Sequence, residues 1–175
     1  LAGKKRTRFS LVRYGNVINS RGSVIPFFKK TVIQKKLIPI THKRMTRFFI
    51  KVDDGVKFVI KSFSRMLGGE IFIPKVDSIK IIDIAKAISP NTKIKIVGIR
   101  PGEKMHEVLC PQDEAHLTLE FKDHYVIKPS IGLEIKNNYQ INAIREKGKQ
   151  VSESFEYSSN LNKFLSIKDI KKIIN

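Results

Sequence analysis

The sequence predicts an α/β layered fold, and three observations predict it. Strand-like runs and amphipathic helical patterns take turns between Arg8 and Val97, the order expected where helices pack on a sheet. The 175 residues, 41% hydrophobic and 9% aromatic, suffice for one ordinary domain with a sizeable core. Gly, Asn and Pro fall between the patterned segments, where strand-to-helix turns need them.

Arg8 to Tyr14 alternates and is β-prone, and Gly15-Asn16 breaks it, so a strand delivers the loop Gly15–Ser23. Pro26 fits the first turn of a helix in which Phe27, Phe28, Val32 and Ile33 follow at helical spacing to Lys36. Leu37 to Thr41 is short and extended. Phe48-Phe49-Ile50 reads as a strand, and Asp53 as the N-cap of a helix with Val56, Val59, Ile60, Phe63 and Leu67 on its inward face. Gly68-Gly69 ends it. Glu70 to Ile73 is a strand, Ser78 can cap a helix with Ile81, Ile82, Ala85 and Ile88 inward, and Lys93 to Val97 alternates as a strand. Beyond these, Lys104 to Leu109 is a short helix candidate, Leu117 to Phe121 and Tyr125 to Lys128 are extended, and Gly132 to Glu153 is polar and weakly patterned. Ser166 to Asp169 reads as a capped helix start with Ile167, Ile170, Ile173 and Ile174 on its apolar side. No internal repeat or low-complexity tract interrupts the series.

Charge is uneven. The net charge is +18; residues 1–52 hold 14 Lys or Arg and no acid, whereas 53–175 hold 20 basic against 16 acidic residues. Such a segment attracts polyanions, so nucleic acid and phosphorylated metabolites are both candidate partners, although scattered lysines usually form a solvated face. The single cysteine, Cys110, makes no internal disulfide and suits a reducing, cytoplasmic setting. No apolar run reaches a membrane span and no signal-peptide core follows the basic start. Leu1 opens the chain and a strand-like run follows by Phe9, as expected of entry into the middle of a larger protein.

Self-contained catalysis is not legible: there is no G-x-G-x-x-G, P-loop, H-E-x-x-H or Cys pair, and no tyrosine has a lysine four residues on. His106 and Cys110, one helical turn apart, are too few for a metal site, and Cys110 reads better as a small buried hydrophobe. Three segments combine arginine with a loop. Arg13-Tyr-Gly-Asn-Val followed by Ser20-Arg-Gly-Ser is either a ligand-binding strand end, where Asn16 offers a donor and an acceptor, or an ordinary turn. Arg47 leads an apolar strand and either grips phosphate oxygens or lies in water at a sheet edge. Arg100-Pro-Gly-Glu103 fits a type II turn that projects a cation and an anion together, for a nucleotide's phosphates and ribose or simply as a surface ion pair.

Together with Arg44-Met-Thr-Arg-Phe, Gly68-Gly-Glu-Ile-Phe-Ile-Pro-Lys, Ile99-Arg-Pro-Gly-Glu-Lys-Met-His-Glu and the tail Phe155-Glu-Tyr-Ser-Ser-Asn, these segments closely resemble the C-terminal half of the inverting UDP-N-acetylglucosamine 4,6-dehydratases. These are extended short-chain dehydrogenase/reductase enzymes that begin pseudaminic acid synthesis, and the resemblance covers essentially residues 1–175. It implies the last strands of a Rossmann sheet followed by a small mixed substrate-binding lobe. It also implies UDP-N-acetylglucosamine as substrate and NADP as cofactor, held mainly by an N-terminal part that this sequence lacks. The family's enzymes commonly form homo-oligomers. Asn16 matches the loop asparagine that meets the substrate, Arg47 and Arg100 the arginines on the diphosphate, and Glu103 the ribose-binding acid. The backbone of Gly15, Asn16 and Val17 would border the nicotinamide. No catalytic residue is assigned, because the family's Tyr-x-x-x-Lys pair precedes this region, and the chain alone is expected to be inactive. The alternatives are a UDP-N-acetylglucosamine epimerase or capsule-synthesis relative, which shares several segments, and a basic nucleic-acid-binding module, for which no recognised signature is present.

Overall fold

The computed structural model describes residues 7–130 and 137–174. In chain order the elements are β1 (Leu11–Val12), β2 (Asn16–Val17), α1 (Val24–Lys35), β3 (Leu37–Ile40), β4 (Thr46–Ile50), α2 (Val52–Arg65), β5 (Ile71–Pro74), β6 (Ser78–Lys80), α3 (Ile81–Ile88), β7 (Lys93–Ile96), β8 (Val108–Cys110), a 3-10 turn (Gln112–Leu117), β9 (Thr118–Glu120), β10 (His124–Ile127), β11 (Lys149–Gln150), β12 (Tyr157–Ser158) and α4 (Ile167–Ile174). The expected α/β class is borne out. Contacts divide the chain into two units, one from the described residues up to Tyr14, Asp53–Lys75 and Val108–Tyr157, the other from Gly15–Val52, Val76–Glu107 and the residues from Ser158 onward.

In the first unit five strands form a sheet in the order β1-β5-β10-β9-β11, with β1 parallel to β5 and the remaining pairs antiparallel. The strand expected over Arg8 to Tyr14 is confined to Leu11–Val12; Leu11 within it and Phe9 before it are exposed. Phe58, Phe72, Leu119, Phe121, Val126 and Tyr139 form the core. Cys110 is buried, and burial pushes its thiol up to about 12 although Arg13 pulls the other way. Of the polar stretch from Gly132 to Glu153, residues 131–136 lie outside the described residues.

Helix α2 departs from expectation. Its acids Asp53 and Asp54 lie inside the first turn, where they complement the helix dipole, so Asp53 is not the N-cap. Its buried residues are Gly55, Phe58, Ser62 and Arg65, while Val56, Val59, Ile60 and Phe63 are exposed. The cause is a charge network. Arg65, with a fully buried side chain, donates from Nη2 to Asp123 Oδ1 at 2.7 Å and from Nε to Glu146 Oε2 at 2.7 Å. His124 sits between the rings of Phe121, 4.6 Å away, and Phe72, 5.8 Å away, with Nδ1 2.8 Å from Asp123 Oδ1. A guanidinium cannot be left in an apolar interior unpaired, so the face that carries Arg65 turns toward its carboxylates.

In the second unit β4 lies between β2, its parallel neighbour, and β6, its antiparallel one, while β3 and β7 form a separate parallel pair. Helices α1, α3 and α4 close a core containing Ile25, Phe28, Ile38, Ile40, Phe49, Ile84 and Ile170. Each fully buried Ile or Phe is worth about 1.5–3 kcal/mol. Helix α1 turns Ile25, Phe28 and Thr31 inward, whereas Phe27 and Ile33 are exposed. Ser78 does not cap a helix: it opens β6, and its Oγ accepts a bond from Asn162 Nδ2 at 3.2 Å. The expected helix over Lys104 to Leu109 is absent; the segment bends at Met105-His106 and runs into β8. At α4 the expected cap is present, with Asp169 N donating to Ser166 Oγ at 3.2 Å and Ser166 Oγ to Asp169 Oδ2 at 2.6 Å.

The network in the first unit sets a pH dependence. Burial raises the Asp123 carboxyl, but bonds from Arg65, His124 and Lys61 outweigh it and hold the group well below its ordinary value; Arg65 likewise lowers Glu146. Burial holds His124 below its ordinary 6.5. All three therefore contribute most at higher pH. The urea midpoint should fall first as pH drops below about 6.5, as the unfolded histidine gains its proton, and again below about 4, as the unfolded carboxylates do. Arg65→Met should shrink the second stage, leaving the part due to His124 and Lys61, and cost about 2–3 kcal/mol at pH 7, less than a sealed ion pair because Asp123 and Glu146 are 44% and 36% exposed. An unchanged acid limb would show that the network does not set it.

Candidate functional site

The second unit contains a cleft of about 400 Å3 whose walls come from β2, α1, β3, β4 and the loop after β7. The strand that carries its lining residue Asn16 is preceded by Gly15. A Cβ there would lie 2.5 Å from the Phe48 carbonyl oxygen, so only glycine lets β2 approach β4 this closely. Asn16 then pairs with Phe49 and Val17 with Ile50, and Ile18 N donates to Ile50 O at 2.9 Å. The loop that follows turns twice, through Asn19 and Gly22 at positive φ, and delivers Ser23 to the start of α1. Ser23 Oγ is buried with no hydrogen-bond partner, and the residue lines the cleft.

The opposite wall is the Arg100–Glu103 turn. Gly102 has φ 78° and Glu103 N donates to Arg100 O at 3.0 Å, the geometry expected of a type II turn. The Glu103 carboxylate is held at both oxygens: Thr41 Oγ1 donates to Oε1 at 3.2 Å and Arg100 N to Oε2 at 3.3 Å. A carboxylate carries about four acceptor sites, so capacity remains for hydroxyl donors. The Arg100 side chain is exposed. Phe27, Phe28, Pro39, Met45, Phe49 and Val97 supply apolar surface between the two walls.

Arg47 borders the same cleft, with a guanidinium largely committed to the protein. Nη1 donates to Thr46 O at 2.7 Å and Met105 O at 3.1 Å, Nη2 to Lys104 O at 2.6 Å, and Nε faces Glu107 Oε1 at 3.3 Å. Burial lowers its pKa, with Glu107 and Glu103 opposing. Beside it, Thr46 Oγ1 is 2.7 Å from both His106 Nδ1 and Ser159 Oγ, and Glu107 N donates to Ser159 Oγ at 2.9 Å. Burial, with Arg44, Arg47 and His42, lowers the His106 pKa; a neutral ring with an unprotonated Nδ1 accepts from Thr46 and lets these donors run in one direction.

Asn16, Arg47, Arg100 and Glu103 thus line one cleft, although 87 positions separate the first from the last. Gly15 and Val17 flank Asn16 without lining it, and Arg13 belongs to the first unit, where it donates to Leu109 O at 2.9 Å and Glu114 Oε2 at 3.3 Å. Ser23, Thr41 and Met45 line the cleft and are not singled out by sequence; for Ser23, the end of the Ser20-Arg-Gly-Ser run before a helix was the available signal. Among the described residues no group of His, Cys, Asp and Glu has the arrangement of a metal site, and no helix is long and apolar enough to cross a membrane.

An α/β domain with an arginine-bordered cleft beside a parallel strand end suits an anionic ligand with hydroxyl donors. The chain belongs to the polysaccharide biosynthesis protein family, whose profile matches residues 1–129. It is 54% identical over 178 aligned residues to the UDP-N-acetylglucosamine 4,6-dehydratase (inverting) of Campylobacter jejuni, a match covering 100% of this chain and 53% of that protein. It is 33% identical to the UDP-glucose 4-epimerase of Rickettsia bellii, over 98% of this chain and 50% of the relative. The X-ray structure of Pen from Bacillus thuringiensis superposes with a TM-score of 0.80 at 30% identity, covering 98% of this chain and 51% of Pen. The chain therefore spans about half the length of the relatives it matches.

Gly15→Ala should test the approach of β2 to β4. The added methyl must displace backbone, not a flexible side chain, so a loss of about 1–3 kcal/mol in urea unfolding is expected, with shifts of the Asn16 and Phe49 amide resonances. Full stability with unmoved resonances would mean that the strand end is loosely held.

Proposed function

We propose that this chain is the UDP-sugar-binding portion of an inverting UDP-N-acetylglucosamine 4,6-dehydratase. The carrying observation is the cleft that gathers Asn16, Arg47, Arg100 and Glu103. Glu103 accepts ribose hydroxyls with its unused lone pairs, Arg100 meets the diphosphate from an exposed position, and Asn16 meets the sugar. The Ser23 hydroxyl, unpartnered in the wall, adds a donor toward the phosphates. The dehydratase reading is favoured over an epimerase by 54% against 33% identity at similar coverage of this chain, and over the capsule-synthesis relative, which is 35% identical over 69% of this chain. A nucleic-acid module is disfavoured because a walled cleft with a carboxylate in it suits a small nucleotide better than a duplex backbone.

The cofactor in this reading is nicotinamide-based, with NADP the specific proposal. It would supply reversible hydride transfer when bound. The residues present fit only its edge: Asn16, Val17 and Ile18 are engaged with β4, so Gly15–Val17 would border the nicotinamide without holding a pyrophosphate. Binding of the remainder, and the acid–base residues, would fall to the part of the relatives that this chain does not match. The exposed apolar residues of α2 and β1 support that division, since exposed apolar stripes favour association. A cytoplasmic, homo-oligomeric enzyme completes the proposal.

Calorimetry of the 175-residue chain with UDP should detect binding that ADP does not match. Arg100→Ala should weaken UDP binding by about 2 kcal/mol or more, and Arg100→Lys should restore only part, because a point charge does not replace a planar fork. Equal UDP affinity in both variants and the parent would reduce the turn to a surface feature. The chain alone should form no 4-keto sugar from UDP-N-acetylglucosamine with NADP present; turnover by the isolated chain would overturn the division of labour proposed here.

A further inference from the structure

The basic excess of the chain is concentrated in the second unit, which carries 19 of the 34 Lys and Arg residues but 5 of the 16 acids. Much of it stands on the outer faces of two helices. Helix α1 turns Ile25, Phe28 and Thr31 into the core, and a rotation of about 100° per residue leaves Lys29, Lys30 and Ile33 on the other side, all three exposed. Helix α4 buries Ile170 and Ile174 and exposes Lys168, Lys171 and Lys172. Both helices bury their apolar sides in one core, and Lys29 Nζ donates to Ile174 O at 2.6 Å, so the outer faces adjoin. The two helices contain one acid, Asp169, which Lys172 faces at 3.6 Å. Among these lysines stands Ile33, 82% exposed, more than any other large apolar residue among the described residues.

We propose that this face, Lys29, Lys30 and Ile33 of α1 with Lys168, Lys171 and Lys172 of α4, is a docking surface for an anionic lipid bilayer. Five ammonium groups on one side match a plane of lipid phosphates, and each lysine brought to such a surface strengthens binding about fivefold. Lysine stems lie along the acyl boundary while their heads stay among the phosphates, and Ile33 supplies an apolar group to that boundary. Nucleic acid fits less well. The six residues include no arginine for bidentate phosphate contact and no aromatic ring for base stacking, and an exposed isoleucine gains nothing against a hydrated duplex backbone. A second copy of this face is repelled by its own lysines. The inference is independent of what fills the cleft, since none of the six residues lines it.

Vesicle flotation of the 175-residue chain is the test, because an aggregate sinks whereas vesicle-bound protein rises. The chain should float with phosphatidylcholine vesicles containing about one third phosphatidylglycerol and stay behind with phosphatidylcholine alone, and raising salt from about 0.05 to about 0.5 M should release it. The double variant Lys168→Glu with Lys171→Glu should weaken binding about tenfold or more. Lys147→Glu with Lys149→Glu, at exposed positions of the first unit, changes the net charge equally and should have less than about a twofold effect. The chain has no tryptophan, so Ile33→Trp adds a single reporter whose emission should shift to the blue on anionic vesicles and be quenched by brominated lipid tails. Equal losses in the two double variants would leave only net charge and overturn the proposal, as would an unshifted emission. Binding to a duplex oligonucleotide as tight as to vesicles, with the same sensitivity to Lys168 and Lys171, would assign the face to nucleic acid and overturn it too. Absence of flotation with anionic vesicles would return these lysines to an ordinary solvated face.

Discussion

The cleft depends on one strand, β4. Its apolar centre, Phe48-Phe49-Ile50, is buried, and that burial anchors everything attached to its edges. On one edge it aligns β2, and so fixes where Asn16 stands; on the other it pairs with β6, which leads directly into α3 and the core. Its first two residues, Thr46 and Arg47, fasten the loop after Glu103. Both walls of the cleft are thus referred to one rigid element, so that small displacements of the loop would strain hydrogen bonds at several points along it.

The first unit is organised by a different constraint, the need to neutralise a buried guanidinium. Two carboxylates converge on Arg65 from positions 58 and 81 residues away, and the aromatic rings of Phe121 and Phe72 hold His124 against one of them. This arrangement explains why the hydrophobic periodicity of α2 was legible and its direction was not. The spacing of Val56, Val59, Ile60 and Phe63 does describe one face of a helix, but periodicity identifies a face without saying which side the sheet lies on. That is settled by charges distant in sequence. Elsewhere the pattern was sufficient: β3, β9 and β10 fall within a residue or two of their expected ranges because their neighbours bury them in the ordinary alternating or continuous manner, and β7, though largely exposed, falls as close through its pairing with β3.

The same division between local and distant causes runs through the candidate site. The Arg100–Glu103 turn is readable because Pro and Gly set its backbone angles within four residues. Gly15 is readable as a break, though not as a point of contact, since the reason for glycine is the Phe48 backbone on another strand. The stretch from Lys104 to Leu109 has a plausible helical composition and instead bends into a strand, because Thr46, Arg47 and Ser159 take up the backbone groups that a helix would have paired internally. Ser159 lies 113 residues from Thr46, and nothing in the spacing of the tail predicts that contact.

Charge in the cleft is arranged by availability more than by number. Arg47 and Arg100 have the same formal charge, but burial and four protein partners restrict Arg47, whereas Arg100 stands exposed with its donors open. Glu103 is the one acid among the lining residues, drawn from a chain whose first 52 residues contain none. An isolated carboxylate in so basic a region would ordinarily be a poor neighbour for a phosphate. Here its oxygens are held by Thr41 and by the Arg100 amide, which spreads its charge into the turn and fixes it at a distance from the arginine side chain set by the Pro101-Gly102 backbone. A ligand whose anionic and hydroxyl-bearing parts are separated can satisfy both groups at once, while an anion without hydroxyl donors meets the carboxylate as a penalty. Under the proposed function, the pairing of these two residues on one turn would favour a phosphorylated sugar over a simple anion.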